Sequence, residues 1–469
     1  MKIAFLHYHL KPGGVTTVLC HQIQALQNDV QLLVISGEAP PSDFPCEVAC
    51  VAGVGYSSQG RSTQAADRIA DQIRQAIHQH FHGPCDLLHI HNPLLAKNHL
   101  LLDIIRCLRQ SGMNLFLQVH DFAEDGRPLA CYNDVPYPED CHYGVINTRD
   151  FNNLIQAGLT PEGVHLLSNC IMPFEGTPNG FKESFVLYPV RAIRRKNIGE
   201  ALLLSLYLPP EQSLFITQPP NSSADLPSYR DWKDFAASHH LPARFEMGTQ
   251  RPFMSLLTSA DWILTTSITE GFGFVFLEPW SVGKELKGRL LPDTCQDFID
   301  NGIVLPHLYR GIQLPMEWWG KERILDRFAG CLASNRRAYG SFWPRHWEDE
   351  CLQALQQSTG IDFGMLDEAF QRECLNRVCR DPDRHQELLE RNPSLATMLT
   401  APPSRSAIAH NRARITTHYH PDRYREKLLE IYAAIVERPV KHTIDRKRLL
   451  STFLRPERFS LLKWSAYHG

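Results

Sequence analysis

The sequence predicts an α/β protein of two Rossmann-like domains with a helical C-terminal extension. Three observations carry this. Short apolar runs alternate with helix-patterned segments over roughly the first 310 residues. The alternation falls into two series separated by the Gly/Pro-rich stretch "MPFEGTPNGF", and from about residue 315 the pattern turns helical and polar. Strands alternating with helices imply parallel sheets covered on both faces, whose ligands bind beyond the carboxyl ends of the strands.

The first series opens with "KIAFLH", the turn "KPGGV" and the helical pattern "TTVLCHQIQAL", a strand, Gly loop and helix. It continues through "VQLLVIS", the helical "ADRIADQIRQAIHQHF", "DLLHI", the helical "LLDIIRCL", "NLFLQVH", "YGVIN" and "VHLLS". The second series reads "SFVLYPV", "IGEALLLSL", "LFITQPP", "SYRDWKDFAASH", "ARFEMG", "FMSLLTS", "DWILTTS" and a helix opening after Gly273. Expected boundaries are 1–175 for the N-terminal domain, 180–400 for the second, and 405–469 for C-terminal helices and a basic tail packing back on the first domain. "TAPPSRSA" at 400–407 reads as a hinge or linker. The ligand is expected in the cleft of the two domains.

With 469 residues, 43% of them hydrophobic, the chain can bury a sizeable core. Charge is nearly balanced, 48 Lys+Arg against 51 Asp+Glu, so nothing global points to nucleic acid or an acidic membrane. The thirteen cysteines include no CxxC pair and read as reduced thiols. The N-terminal run lacks the marks of a signal peptide, and no stretch approaches the roughly 18 apolar residues of a membrane span. A cytoplasmic protein is expected. Tail residues 438–464 interleave Arg446, Arg448, Arg455 and Arg458 with Leu449, Leu450, Phe453 and Trp464, a pattern that suits either an anionic membrane or an acidic protein face.

Chemistry concentrates in "TEGFGFVFLE", residues 269–278. Glu270 is expected just past a strand, with Gly271, Phe272, Gly273 and Phe274 forming a loop at a helix N-terminus and Glu278 one or two turns into that helix. Two carboxylates so placed can each accept hydrogen bonds from a diol, or can simply complement the helix dipole. "VLYPVRAIRRKN" puts Arg191 and Lys196 at the mouth of the same sheet, where cations can neutralise a diphosphate or merely be solvated. In the first domain, Gly13 and Gly14 give a tight turn, with amide donors for phosphate or sugar. His120, followed by Asp121, ends a strand, where an imidazole can meet a sugar hydroxyl or serve the fold. "HIHN" places His89 and His91 on one strand face as a cleft wall, with no third metal ligand evident nearby.

Taken together, Gly13-Gly14, "HIHNP", His120-Asp121, "LLSN" at 166–169, Arg191 with Lys196, the E-x7-E pair Glu270 and Glu278, and the late "DRYREKLLEIYAAI" resemble the retaining nucleotide-sugar glycosyltransferases of the GT-B fold, family 4 type. The resemblance implies that Glu278 holds the ribose and that Glu270 with the 271–274 loop holds the donor sugar. Arg191 and Lys196 would bind the diphosphate, and Gly13 and Gly14 would close on it. His120 would contact the sugar near the reacting carbon, with His91, Asn92 and Asp121 on the acceptor side. It also implies transfer with retained anomeric configuration, no dedicated nucleophile, no catalytic metal, and no cofactor beyond the nucleotide-sugar co-substrate.

Departures from that pattern are Pro279 inside the expected helix, Pro292-Asp293-Thr294 where a Gly-rich turn is usual, and Asn197 in place of a Gly after Lys196. Residues 315–400 match nothing assignable. The expected partners are a nucleotide sugar and a small soluble acceptor, a sugar, polyol or organic acid, since residues 1–150 carry more acidic than basic groups. No nucleic acid and no stable membrane insertion are expected. A glycoside phosphorylase and a non-catalytic sugar-nucleotide binding protein are the alternatives.

Overall fold

The computed structural model describes residues 1–58, 60–132, 135–174, 183–344 and 346–465. Residues 175–182, where the sequence places the join, lie outside them. The chain forms two compact units, the first from residues 1–172, 338–343 and 419–453, the second from 173–337, 344–418 and 454 onward.

Unit 1 holds a parallel sheet of β1 (Lys2–His7), β2 (Gln31–Ser36), β3 (Val48–Cys50), β4 (Leu87–His91), β5 (Leu115–Val119), β6 (His142–Val145) and β7 (Val164–Leu166). Their order is β3-β2-β1-β4-β5-β6-β7. Central strands such as β1 and β5 are continuous apolar runs because helices bury both faces. Helices Thr63–Phe81, Leu101–Gln110 and Thr148–Gln156 cover one face. The first of these is capped by Ser62, whose side chain accepts from the Ala65 amide. Helices Gly14–Leu26 and Pro421–Glu437 cover the other. The latter buries Leu428, Ile431, Tyr432 and Ile435, one stripe at helical spacing, against Ile3, Phe5 and Leu19.

Unit 2 holds a second parallel sheet of β8 (Phe185–Arg191), β9 (Ser213–Gln218), β10 (Ala243–Arg244), β11 (Trp262–Thr265), β12 (Leu286–Arg289) and β13 (Leu308–Tyr309), ordered β10-β9-β8-β11-β12-β13. The "LKGR" strand β12 has no apolar signature, yet all four residues are buried. Lys287 Nζ donates to the carbonyls of Met398 and Ala401, and Arg289 is clamped by Glu200 and Asp362. Gly288 sits at φ +127, and a Cβ there would collide with the Thr265 backbone. In each sheet the strand order reverses once beside the first strand, between β1 and β4 and between β8 and β11, the position where open α/β sheets bind ligands.

The C-terminal region departs from expectation. Only residues 419–453 join unit 1; helix Arg405–His418 and everything from Leu454 onward cluster with unit 2. Residues 400–407 are docked rather than free, with Ala401 accepting from Lys287 and the Ser404 amide donating to Glu285. Nor is the tail free to meet a membrane. Leu449, Leu450, Phe453, Leu454, Phe459 and Trp464 are all buried, Arg446 is buried beside Glu124, and Arg455 and Arg458 pair with Asp293. Among the described residues no helix is long and apolar enough to cross a membrane, and all thirteen cysteines are free thiols.

Because Leu428 is fully buried between the 421–437 helix and the first sheet, Leu428→Ala should cost about 2–5 kcal/mol of stability. Urea unfolding that shows a loss below about 0.5 kcal/mol would contradict the docking of that helix.

Candidate functional site

On unit 2 the site is built where β8 and β11 part. Arg191 is the last residue of β8, and the chain then turns through Arg194–Lys196 to Asn197 at φ +56, ψ 55. That left-handed conformation is open to Gly and tolerated by Asn, so the departure noted at 197 preserves the turn. The Asn197 side chain also works: its amide donates to Glu200, and its carbonyl oxygen accepts from Gln371. Thr266, just beyond β11, donates to the carbonyls of Lys196 and Asn197, and Tyr188 donates to that of Lys196. The Lys196 backbone is thereby fixed against both switch-point strands.

Lys196 Nζ lies 2.5 Å from Glu270 Oε1, in a pair whose side chains are 15% and 8% exposed. Burial pushes the Glu270 carboxyl up, but Lys196 and Arg195 outweigh it, and Glu270 ends below its ordinary range, ionised. Gly273 stands at φ +88, a conformation that favours glycine, with Phe276 and Thr294 against the place a Cβ would take. The expected helix is much shorter than its pattern suggested. A 3-10 turn spans Phe274–Phe276 and a single α-turn spans Glu278–Ser281. Glu278 opens that turn instead of lying within a helix, and Pro279 stands at its start, where a missing amide is harmless. A one-turn helix carries little dipole, so the dipole explanation for the two acids weakens. Pro292-Asp293-Thr294 forms the first turn of helix Pro292–Asp300, and the Thr294 hydroxyl reaches the Glu270 carbonyl at 3.5 Å.

Glu278 and Arg191 contrast with the Lys196–Glu270 pair. Both are half-buried, and neither side chain has a hydrogen-bond or ion-pair partner among the described residues. Burial alone drives the Glu278 carboxyl up to about 7, with no cation offsetting it.

On unit 1 the corresponding place lies past β1, β4 and β5. Gly14 starts the helix Gly14–Leu26 and Gly13 caps it in an extended conformation, φ 177. Neither backbone requires glycine, and a Cβ at Gly14 would meet nothing within 4 Å; what the pair provides is open space before the first helical turn. Asn92, at φ +53, accepts from the amides of both His120 and Asp121 at 2.7 and 3.0 Å, so it is the brace of the strand-end His-Asp step. Asp121 pairs with Arg127 at 2.8 Å.

His91 is fully buried and stacks between His89 and His120, at ring distances of 4.5 and 5.3 Å. It is enclosed by these rings and by His7, so the direct acceptor-side contact expected for it does not fit its burial. His89 is no cleft wall either: it is buried and bonded to Tyr432 and Gln118, deep under the 421–437 helix. Burial holds His120 down at about 4 and His89 at about 3, so both rings are neutral at pH 7. His91 Nδ1 and His120 Nε2 lie 3.0 Å apart and share one proton, while His91 Nε2 is buried without a partner. A buried orphan N–H is the rarer and costlier case. The proton therefore belongs on His91 Nδ1, and His120 carries its own on Nδ1, a neutral donor left for a ligand.

No protein-family model matches the chain. It is 25% identical over 335 residues to the mannosylglucosyl-3-phosphoglycerate synthase of Petrotoga mobilis, a match spanning 62% of this chain and 65% of that protein, just under two thirds of its length. Among solved structures it resembles Anabaena HepE in complex with UDP and glucose (TM-score 0.53, 13% identity, covering 92% of this chain and 98% of that one). It also resembles a glycosyltransferase of Rickettsia africae ESF-5 (TM-score 0.54, 11% identity, 93% and 98%). These likenesses bear out the fold: two parallel-sheet α/β units of the GT-B glycosyltransferase kind, with a helical C-terminal region.

The raised pKa of Glu278 has a sign that can be checked. Its folded value, about 7, exceeds the ordinary 4.5, so the stability linked to its protonated form is complete below pH 4.5 and lost as pH rises through 7. Glu278→Gln removes that loss. The variant should match the parent at pH 4.5 and exceed it by about 2 kcal/mol at pH 8, allowing for solvent at a half-buried group. Denaturant midpoints across this range that move in parallel would refute the assignment.

Proposed function

We propose that this chain is a retaining glycosyltransferase, which moves a hexose from a nucleoside-diphosphate sugar to a hydroxyl of a small soluble acceptor of the sugar-acid class. The observation that carries the reading is the unspent polar equipment of unit 2. A half-buried guanidinium at the end of β8 and a half-buried carboxyl after the 274–276 turn, neither with a side-chain partner among the described residues, accompany an organised Lys196–Glu270 pair beyond the switch-point strands. Burial disfavours the Glu278 carboxylate with no cation offsetting it, which is expected where a ligand supplies the missing partners.

A nucleotide sugar presents the matching groups. Glu278 accepts from the two ribose hydroxyls. Arg191 and Lys196 take the diphosphate, whose phosphate oxygens accept charge-assisted hydrogen bonds. Glu270 and the loop from Gly271 through Phe272, Gly273 and Phe274 take hexose hydroxyls. On unit 1, the amides at the Gly13-Gly14 turn suit phosphate or sugar, and His120 Nδ1–H suits a sugar hydroxyl.

In the transfer, the acceptor oxygen bonds to the anomeric carbon as the bond from that carbon to the diphosphate oxygen breaks. The acceptor proton passes to the leaving diphosphate on the same face, so configuration is kept without a protein nucleophile. Negative charge grows on the leaving oxygens, and Arg191 and Lys196 answer it without reorganising.

The acceptor class draws on the Petrotoga mobilis relative, whose name describes a product with two hexoses on a phosphorylated organic acid. It is narrower than the sugar, polyol or organic acid acceptor expected from the sequence, and lies within that range.

A thermal-shift screen against UDP, GDP, ADP and their hexose conjugates should find one nucleotide that stabilises the protein, by about 2.7 kcal/mol at 100 times Kd, and that no longer does so with Glu278→Ala. Arg191→Ala should lower kcat/KM by about 10²-fold or more. If no nucleotide binds while phosphate does, the reading gives way to a phosphorylase.

A further inference from the structure

Three loops at the carboxyl end of the first sheet are stitched into one rim, and that rim carries a charge the donor chemistry does not use. The loop after β3 meets the loop after β4 where the Ser57 amide donates to the Lys97 carbonyl and the His99 amide donates back to Ser57. The loop after β4 meets the loop after β5 where the Ala96 amide donates to the Ala130 carbonyl at 2.8 Å, and Tyr132 donates to the Asn98 carbonyl at 2.9 Å. These bonds set Tyr56, Lys97 and Arg127 side by side beyond strands β3, β4 and β5.

Tyr56 is 57% exposed, unusual for an aromatic ring held this firmly. Its hydroxyl lies 3.1 Å from His9 Nε2, and its ring packs edge-on to Tyr8 and His9. Lys97 Nζ stands 5.8 Å from the Tyr56 ring centroid, and Lys97 is exposed with no carboxylate among the described residues bonded to it. Arg127 is matched by Asp121, so among the described residues the rim keeps one net positive charge at Lys97. Lys11, the next cation, is already paired with Glu38. Although Lys97 is exposed overall, protein packed around its ammonium and the nearby Arg127 depress its pKa more than Asp121 raises it, a shift that an arriving anion would oppose.

We propose that Tyr56, Lys97 and Arg127 form the acceptor subsite of this protein, in which the Tyr56 ring stacks on the acceptor's sugar and Lys97, backed by Arg127, binds its carboxylate or phosphate. This rests on the glycosyltransferase reading and names the group within the acceptor that is recognised. An exposed aromatic face supplies apolar contact to a hexose ring, and an unmatched ammonium supplies a preference for an acid. Asp121 limits that preference to one net charge.

The test compares 2-O-glucosylglycerate with 2-O-glucosylglycerol, which differ only in a carboxylate against a hydroxymethyl group, as acceptors with the stabilising nucleotide sugar. The parent should favour the acid by at least 10-fold in kcat/KM, and the preference should shrink as salt rises. Lys97→Met, which keeps the aliphatic stem, should collapse the preference to within about 2-fold, and Tyr56→Ala should raise KM for both acceptors. Lys427→Met, remote on the 421–437 helix, is the control and should keep the preference. Melting temperatures of the variants exclude misfolding as the cause.

Equal use of both acceptors, use of neither, or a preference that survives Lys97→Met overturns the proposal. Binding to phosphatidylglycerol vesicles that is lost in Lys97→Met, with no acid preference, assigns the cation to a lipid surface and overturns it as well. Nucleotide binding is read separately by thermal shift. Its absence removes the parent reading, whereas its presence with any of these outcomes removes only the subsite.

Discussion

The Lys196–Glu270 pair is the constraint around which the second unit's site is arranged. Two ions this far from water incur a desolvation cost that their attraction recovers only in good geometry, and removing one partner typically costs 3–5 kcal/mol. Geometry is imposed from behind. Asn197 holds the turn in the left-handed conformation and is gripped by Glu200 and Gln371. Glu200 is in turn clamped with Asp362 around Arg289, the last residue of β12, beside the edge strand β13. The short strand "LKGR" therefore turns Arg289 inward to brace, through Glu200, the turn that presents Lys196, while Lys287 ties the same strand to the carbonyls of Met398 and Ala401. A lysine braced in this way, its ammonium held by Glu270, is preorganised to face an anion.

The first unit solves a related problem with neutral groups. His89, His91 and His120 stack in a line from the core to the strand end, and burial keeps His89 and His120 uncharged at pH 7. The proton order along the line follows from which nitrogens have partners: His89 is satisfied at both nitrogens by Tyr432 and Gln118, whereas His91 has only His120. Asn92 braces the same step from the backbone side. The late helix Pro421–Glu437 thus supplies Tyr432 to the inner end of the row that terminates in the candidate donor, His120.

Most strands of both sheets were legible because parallel strands buried on both faces read as unbroken apolar runs, as "KIAFLH" and "NLFLQV" do. β12 was not, since half its residues are charged and their partners, Glu200, Asp362 and two carbonyls near residue 400, are distant in sequence. The positions of Arg191, Lys196 and Glu270 were legible, because strand ends locate the switch point. The helix after Gly273 was overextended: "FVFLEPWSVG" has helical spacing, but Gly273 and Pro279 break it into single turns. His91 was legible as a residue and not as a role, because alternation along β4 says which face it shares with His89 and nothing about what covers that face.

Glu270 and Glu278 show why spacing alone could not divide their labour. They are the same residue type eight positions apart, Glu270 buried and Glu278 half-buried. Glu270 meets Lys196 and Arg195 and falls below its ordinary range, whereas Glu278 meets no cation and rises to about 7. Pairs of acids whose surroundings drive them apart in this way are a mark of functional sites, because packing alone gives no reason to keep the unpaired one. A glutamine or leucine at 278 would relieve the cost of the half-buried charge. Retaining a carboxylate there makes physical sense when a ligand brings donors to it, and a vicinal diol does so at both oxygens while returning the group to its ionised form. On the proposed function, the two acids divide into one that organises a cation before the ligand arrives and one whose partners the ligand supplies.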